Sequence, residues 1–326
     1  MQKYLLLLFI SAVRFGFAQD LHLSQPDLQP LVVSPALCAT NATFETQGAH
    51  RQQWLAAGAP FQTQLLSVHA RSKKVRPNEG YLGFGLQVQR DLAAQSLSHN
   101  ALRLHLAYHL PLNRNSFVSA GINLGFGQRA FEPSGQWGGQ YNGLSFDANI
   151  LPSVSLQNRY AFSYLDAGLG FAYAYSRGVA REKTLSKVLL GFGAHHLNKP
   201  GFSFLDASAR LQPRIAFIAQ AELSLASVHS AFEPLLFYQF QSPAQELLLG
   251  FAYKHYLKGG PFSRVSNVQS VGFGLYTRLQ DAMVLQFKFQ IQQLKLALAY
   301  DLTVSSFAKA PQLQSAFELQ LNYLFE

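Results

Sequence analysis

The sequence predicts an all-β fold, a transmembrane antiparallel up-and-down β-barrel of about 14 strands preceded by a short N-terminal segment. Three observations predict it. Only 13% of the 326 residues are charged while 48% are hydrophobic, against about 25% charged in an average soluble domain. Beyond the first twenty residues no stretch reaches the roughly 18 apolar residues that a membrane-spanning helix requires, and mean hydropathy is only +0.04. Finally, large apolar residues recur at every second position in runs longer than the usual ~5–6 residues of soluble strands. These runs are close to the roughly 9–11 residues that cross a bilayer at a tilt.

The elements follow in order. Lys3 gives a positive start, Leu5 to Val13 an apolar core and Gly16-Phe17-Ala18 small residues at a cleavage position, so residues 1–18 read as a cleavable signal peptide. Residues 19–42, rich in proline and polar groups, read as an N-terminal periplasmic or plug segment, and residues 43–326 as the barrel. Strands are expected near 43–52, 62–71, 81–91, 99–110, 116–127, 160–176, 185–197, 213–224, 232–241, 246–256, 268–279, 282–291, 294–304 and 314–325.

Each strand sorts its residues by face. Between Leu102 and Leu110 the even positions are Leu or Tyr, while Arg103, His105 and His109 alternate with them. A helix would scatter these cations around its cylinder; a strand places them on one face. Elsewhere the wet face is often glycine, as at Gly83, Gly85, Gly121, Gly125, Gly168 and Gly170, where it eases curvature or lumen packing. Tyr108, Phe126, Tyr256, Tyr300 and Tyr323 lie near strand ends, the place of interfacial aromatic girdles. The longest connection, 128–159, is expected outside the cell, and the tight Pro111 to Asn115 turn on the periplasmic side.

Charge and chemistry exclude several function classes. The formal charge is +9, but Lys and Arg are scattered singly apart from Arg71-Ser-Lys-Lys-Val-Arg76, so no nucleic-acid partner is expected. The lone Cys38 forms no intrachain disulfide and reads as a small apolar residue. No nucleophile elbow, His-Glu-x-x-His or phosphate-binding glycine loop occurs. His105 and His109 share a face but stand about 13 Å apart, too far for one metal, and His195 and His196 are expected on opposite faces. No catalytic residue, cofactor or metal site is therefore expected. Arg103, Lys254, Arg278, Lys288 and Lys295 fall on wet faces. They make either a salt-bridged lumen or a basic surface for an acidic partner.

The segment from Ala107 to Arg129, Ala-Tyr-His-Leu-Pro-Leu-Asn-Arg-Asn-Ser-Phe-Val-Ser-Ala-Gly-Ile-Asn-Leu-Gly-Phe-Gly-Gln-Arg, resembles the PorP/SprF family of Bacteroidetes type IX secretion and gliding proteins. Gln140-Tyr-Asn-Gly143 with Phe146-Asp147 resembles the family's Gln-Tyr-Asp-Gly and Phe-Asp pair. His196-Leu-Asn-Lys-Pro200, Tyr300-Asp-Leu-Thr-Val-Ser305 and Arg51-Gln-Gln-Trp54 also resemble family segments. Ser34-Pro-Ala-Leu37 stands where the family has Asn-Pro-Ala, with Ser34 replacing the Asn and Thr40 a frequent Gly.

The resemblance implies a non-enzymatic barrel in the cell outer membrane that supports type IX secretion and surface attachment of large exported proteins of the adhesin or gliding type. Its implied partners are outer-membrane lipid, a large secreted surface protein bound through its C-terminal sorting domain, and other type IX secretion components. The partner-binding residues it implies are Ser34, Pro35, Ala36, Trp54, Gln140, Tyr141, Gly143, Phe146 and Asp147. The alternative reading is an outer-membrane porin or transporter for small solutes, since fourteen strands enclose a lumen. A barrel lipid hydrolase is a third class, with no Ser and His that can be paired from sequence.

Overall fold

In the computed structural model fourteen strands, each antiparallel to its neighbours, pair in chain order and the last returns to the first. They are β1 (Phe44–Gln53), β2 (Phe61–Arg71), β3 (Tyr81–Ala93), β4 (Leu97–Asn113), β5 (Ser116–Phe131), β6 (Tyr160–Ser176) and β7 (Leu185–His195). The other seven are β8 (Arg214–Leu225), β9 (Ser230–Gln241), β10 (Ala244–Lys258), β11 (Gln269–Arg278), β12 (Ala282–Ile291), β13 (Leu294–Thr303) and β14 (Ser315–Phe325). The structure describes residues 20–54, 60–72, 79–93, 96–132, 141–145, 147, 160–176, 185–202, 208–225, 229–259, 267–305 and 315–325. The proposed signal peptide lies outside them.

Closure is made by β1 on β14, from Phe44 opposite Phe325 to Gln53 opposite Ala316. With no free edge, the strand backbones satisfy one another, which is what a hydrocarbon environment demands. Outward positions carry the apolar belt: Leu104 is 60% exposed, Leu124 63% and Leu165 70%. Their inward neighbours Arg103, Asn123 and Asp166 are buried. The expected girdle residues Tyr108, Phe126, Tyr300 and Tyr323 do face outward, but Tyr256 is buried in the lumen, so strand-end position alone did not identify its face.

β4 extends through a register shift between Pro111 and Asn113, leaving only 114–115 as its turn. The continuation of β5 to Phe131 begins the longest connection at 132 rather than 128. Connections 54–60, 132–159, 196–213 and 304–314 share one mouth, here the loop-bearing mouth. Phe44 and Phe325 lie at the opposite mouth.

Residues 20–43 lie inside the barrel. Asp20 is at the loop-bearing mouth, where its N–H donates to Gln241 Oε1 at 2.9 Å. The chain descends until Asp27 pairs with Lys288 at 2.7 Å and the Leu28 carbonyl accepts from Asn322 at 3.1 Å. A helical turn at Pro30–Val33 carries it back up, where the Val32 carbonyl accepts from Arg214 at 2.8 Å. It then descends again through Pro35–Leu37, and the Ala39 and Thr40 carbonyls accept from Arg71 at 2.8 and 2.6 Å before β1 begins.

The inward glycines mark this contact. A Cβ at Gly121 would stand 2.6 Å from the Ala36 nitrogen, and one at Gly83 would stand 2.7 Å from the Cys38 carbonyl oxygen. At Gly272 the nearest atoms would be 3.4 Å away. Gly121→Ala is therefore expected to cost about 1–3 kcal/mol by overpacking, while Gly272→Ala stays near neutral. Thermal unfolding of the two purified variants checks the contrast.

Candidate binding site at the loop-bearing mouth

The residues that build the site are the polar inward positions near the loop-bearing ends of the strands. Arg51 of β1, Arg278 of β11, Asp301 of β13 and Glu318 of β14 are all buried around Ser24. Arg51 reaches Asp301 at 2.8 Å and Glu318 at 3.2 Å; Arg278 reaches Asp301 at 3.1 Å and Glu246 at 3.0 Å. Ser24 Oγ donates to Asp301 at 2.6 Å, and the backbone N–H groups of Ser24 and Gln25 donate to Glu318 at 2.7 and 3.0 Å. Buried charges are tolerated only when paired and hydrogen-bonded, and here the N-terminal segment supplies part of that partnership.

A second cluster secures Asp20. Its carboxylate faces Arg214 Nε at 3.1 Å and His196 Nε2 at 3.0 Å, while His196 Nδ1 faces Asp166 at 2.9 Å. A ring with a carboxylate at each nitrogen donates to both only as imidazolium. Burial works against each charge, but the Arg214 guanidinium and His196 hold the Asp20 carboxyl well below its usual range. In turn, the Asp166 and Asp20 carboxylates raise His196 from its ordinary 6.5. His196 does not alternate away from His195: its positive φ of 58° turns the ring inward and leaves both histidines buried.

Above Asp20 and His22 opens a vestibule of about 700 Å³, walled in part by Trp54, Phe61, His99, Arg129 and Gln241. A smaller cavity of about 340 Å³ lies at the opposite mouth and shares no lining residue with it. Lys254, paired with Glu233 and with Glu222 at 3.2 Å, lines this lower cavity. All five cations expected on wet faces thus point inward, and four are ion-paired: Arg103 to Asp166 at 3.7 Å, Lys254, Arg278 and Lys288. Lys295 has no ion pair among the described residues. Also among the described residues, no group of three or more His, Cys, Asp or Glu could hold a metal ion.

The expected partner-binding residues are dispersed. Ser34, Pro35 and Ala36 are buried in the lumen segment, where Ser34 Oγ donates to the Phe192 carbonyl at 2.7 Å and accepts from Ala36 N–H at 3.2 Å. This Ser-Pro-Ala motif builds the lumen packing, and its side chains reach no mouth. Trp54 does line the vestibule, packed edge-on against Phe61 at 4.6 Å. Tyr141 and Gly143 belong to an exposed turn in which Tyr141 OH donates to the Gly143 carbonyl at 3.0 Å. Asp147 is described beside that turn, and Gln140 and Phe146 lie outside the described residues. Asp20, His99, Arg129 and Arg214, which line the vestibule, were not singled out from sequence, because a single charge or histidine on a wet face or in the N-terminal segment carries no spacing signal.

Comparison with known proteins then bears on these features. A family model described as type IX secretion system membrane protein PorP/SprF matches residues 16–323. No curated protein matches the chain. Among solved structures, it is similar to the Ralstonia pickettii toluene transporter TbuX at 7% identity, covering 92% of this chain and 94% of that one with a TM-score of 0.48. It is also similar to a deletion mutant of the monoaromatic hydrocarbon channel TodX at 10% identity, covering 90% and 92% with a TM-score of 0.48. A third is BamA from Haemophilus ducreyi lacking POTRA domains 1–3, at 10% identity, covering 87% and 71% with a TM-score of 0.43.

The paired charges make the hold on the N-terminal segment pH-dependent. The Asp20 contribution is present above its ordinary 3.8 and is lost as pH falls through its depressed value. That of His196 is complete below 6.5 and is lost as pH rises through its raised value. Protection of residues 20–28 against hydrogen exchange, relative to the intrinsic rate at each pH, is therefore expected to be at a maximum between about pH 4 and 6.5. Asp20→Asn should abolish that maximum, since it leaves Arg214 buried without its carboxylate, a loss of about 3–5 kcal/mol for a buried pair.

Proposed function

Because the chain belongs to the type IX secretion system membrane protein PorP/SprF family, we propose that this outer-membrane barrel is a non-enzymatic docking platform. It holds a large exported surface protein at its loop-bearing mouth by that protein's C-terminal sorting domain. The observation that carries the reading is the lumen segment: residues 20–43 separate two cavities that share no lining residue. Ion pairs fix the segment at Asp20 and Asp27. A barrel filled in this way offers a surface to a partner rather than a passage to a solute.

Outer-membrane barrels keep longer loops outside the cell and shorter turns inside, so the mouth carrying 132–159 faces the exterior. Trp54 and the Tyr141 to Ser145 turn then belong to the face an exported protein meets. Association with other type IX components follows from the family; sorting-domain capture is the part specific to this proposal.

Deleting the gene is expected to abolish surface display of a co-encoded large secreted protein while its synthesis continues, as read by surface proteolysis of intact cells. Unchanged display of every such protein would overturn the reading. Purified barrel in liposomes is expected to pass no small solute, and sustained flux without a partner would favour the transporter alternative.

A further inference from the structure

Most arginines that line the lumen have an acceptor at hand: Arg51, Arg103, Arg214 and Arg278 face carboxylates, and Arg71 serves backbone carbonyls. Arg129 is different. It points into the loop-bearing vestibule from β5, between His99 of β4 and Phe162 of β6. Its guanidinium carbon lies 3.7 Å from the centroid of the Phe202 ring. Its Nε is buried without a hydrogen-bond partner, and no ion pair to the group occurs among the described residues.

The surroundings are ordered. Tyr164 packs edge-on to Phe202 at 6.5 Å and stacks on His99 at 6.1 Å, with its OH 2.8 Å from His99 Nε2. His99 Nδ1 in turn faces Asp91 at 3.4 Å. The Arg129 side chain therefore rests on an aromatic platform with its Nε donor unspent. A guanidinium is a planar fork matched to a carboxylate, and stacking on a ring fixes its plane without consuming its N–H groups.

We propose that Arg129, backed by Phe202 and Tyr164, is the receptor for a peptide carboxylate flanked by an apolar or aromatic residue. This rests on the docking reading above and names the chemistry by which the exterior mouth takes its partner. The negative charges of Asp20 and Asp91 act on the same guanidinium. They repel a multiply charged phosphate more strongly than a singly charged carboxylate. The Trp54 and Phe61 pair in the same vestibule offers the apolar wall.

The test uses the full barrel in detergent, titrated with acetyl-Phe-Glu-Phe-amide and acetyl-Phe-Gln-Phe-amide by calorimetry. The Glu peptide is expected to bind roughly tenfold more tightly, the factor that one charged hydrogen bond of about 1.4 kcal/mol supplies. Arg129→Gln is expected to erase the difference and Arg129→Lys to keep part of it. When Arg129 is replaced, Asp20 and Asp91 keep their closer partners Arg214 and His99, and an unchanged unfolding temperature verifies the fold. Phe202→Leu, which keeps the charge but removes the platform, should weaken the Glu peptide as well. Equal binding of the two peptides, or discrimination that survives Arg129→Gln, overturns the site. So does inorganic phosphate or lipid A vesicles displacing the Glu peptide at lower concentration than the peptide itself binds. Loss of display on gene deletion with no peptide discrimination refutes only the carboxylate site. Discrimination with display intact refutes only the docking reading.

Discussion

The charges inside the barrel set the terms for the rest of the structure. Arg51, Arg278, Asp301 and Glu318 come from β1, β11, β13 and β14, on and beside the seam where the chain closes on itself. Each would be prohibitively placed alone in a narrow lumen, and their mutual pairing still leaves acceptor sites unfilled. Ser24 and Gln25 fill them with one hydroxyl and two backbone N–H groups. The seam and the N-terminal segment consequently stabilise each other. The β1–β14 closure gathers the charges, and the segment makes that gathering tolerable.

Glycine provides the complementary constraint. The segment makes a down, up and down course within the barrel, which needs close backbone approach to β3, β5, β6 and β7. Inward Gly83, Gly121, Gly170 and Gly193 permit it, each with an atom of the segment where a side chain would begin. Polar pairing fixes the segment at the β11 to β14 seam and again at Phe192, His195 and His196, while close packing against glycine fixes it on the β3 to β7 side.

The strands were legible to within four residues at each end because their pattern is imposed from outside: lipid demands a large apolar residue at every second position, and Leu102 to Leu112 obeys. Fourteen strands in an up-and-down order follow from that alternation. The course of residues 20–43 was not legible, since its partners lie in strands hundreds of residues away, as with Ser24 and Asp301. Tyr256 and His196 escaped for local reasons, one lying inward near a strand end and the other redirected by a left-handed backbone. The Ser34-Pro-Ala motif was visible as a motif, but only burial reveals that its side chains serve packing. Arg129 was visible only as the last residue of the family-like segment from Ala107; its unpartnered Nε is a property of three dimensions.

A filled lumen also changes what a mouth can do. In an open pore the loop-bearing end is a passage, and side chains there compete with moving water and ions. Here Asp20 and His22 form a floor, and the floor is itself tied to the wall through Arg214, His196 and Glu246. A cup whose base cannot recede holds its side chains ready, and binding then loses less to ordering of the receptor. The cluster of His99, Tyr164, Phe202 and Arg129 meets that condition from the wall side: hydrogen bonding and stacking fix three rings, and the rings fix the guanidinium. The ion pairs that hold residues 20–43 in the lumen thus also hold the floor of this mouth.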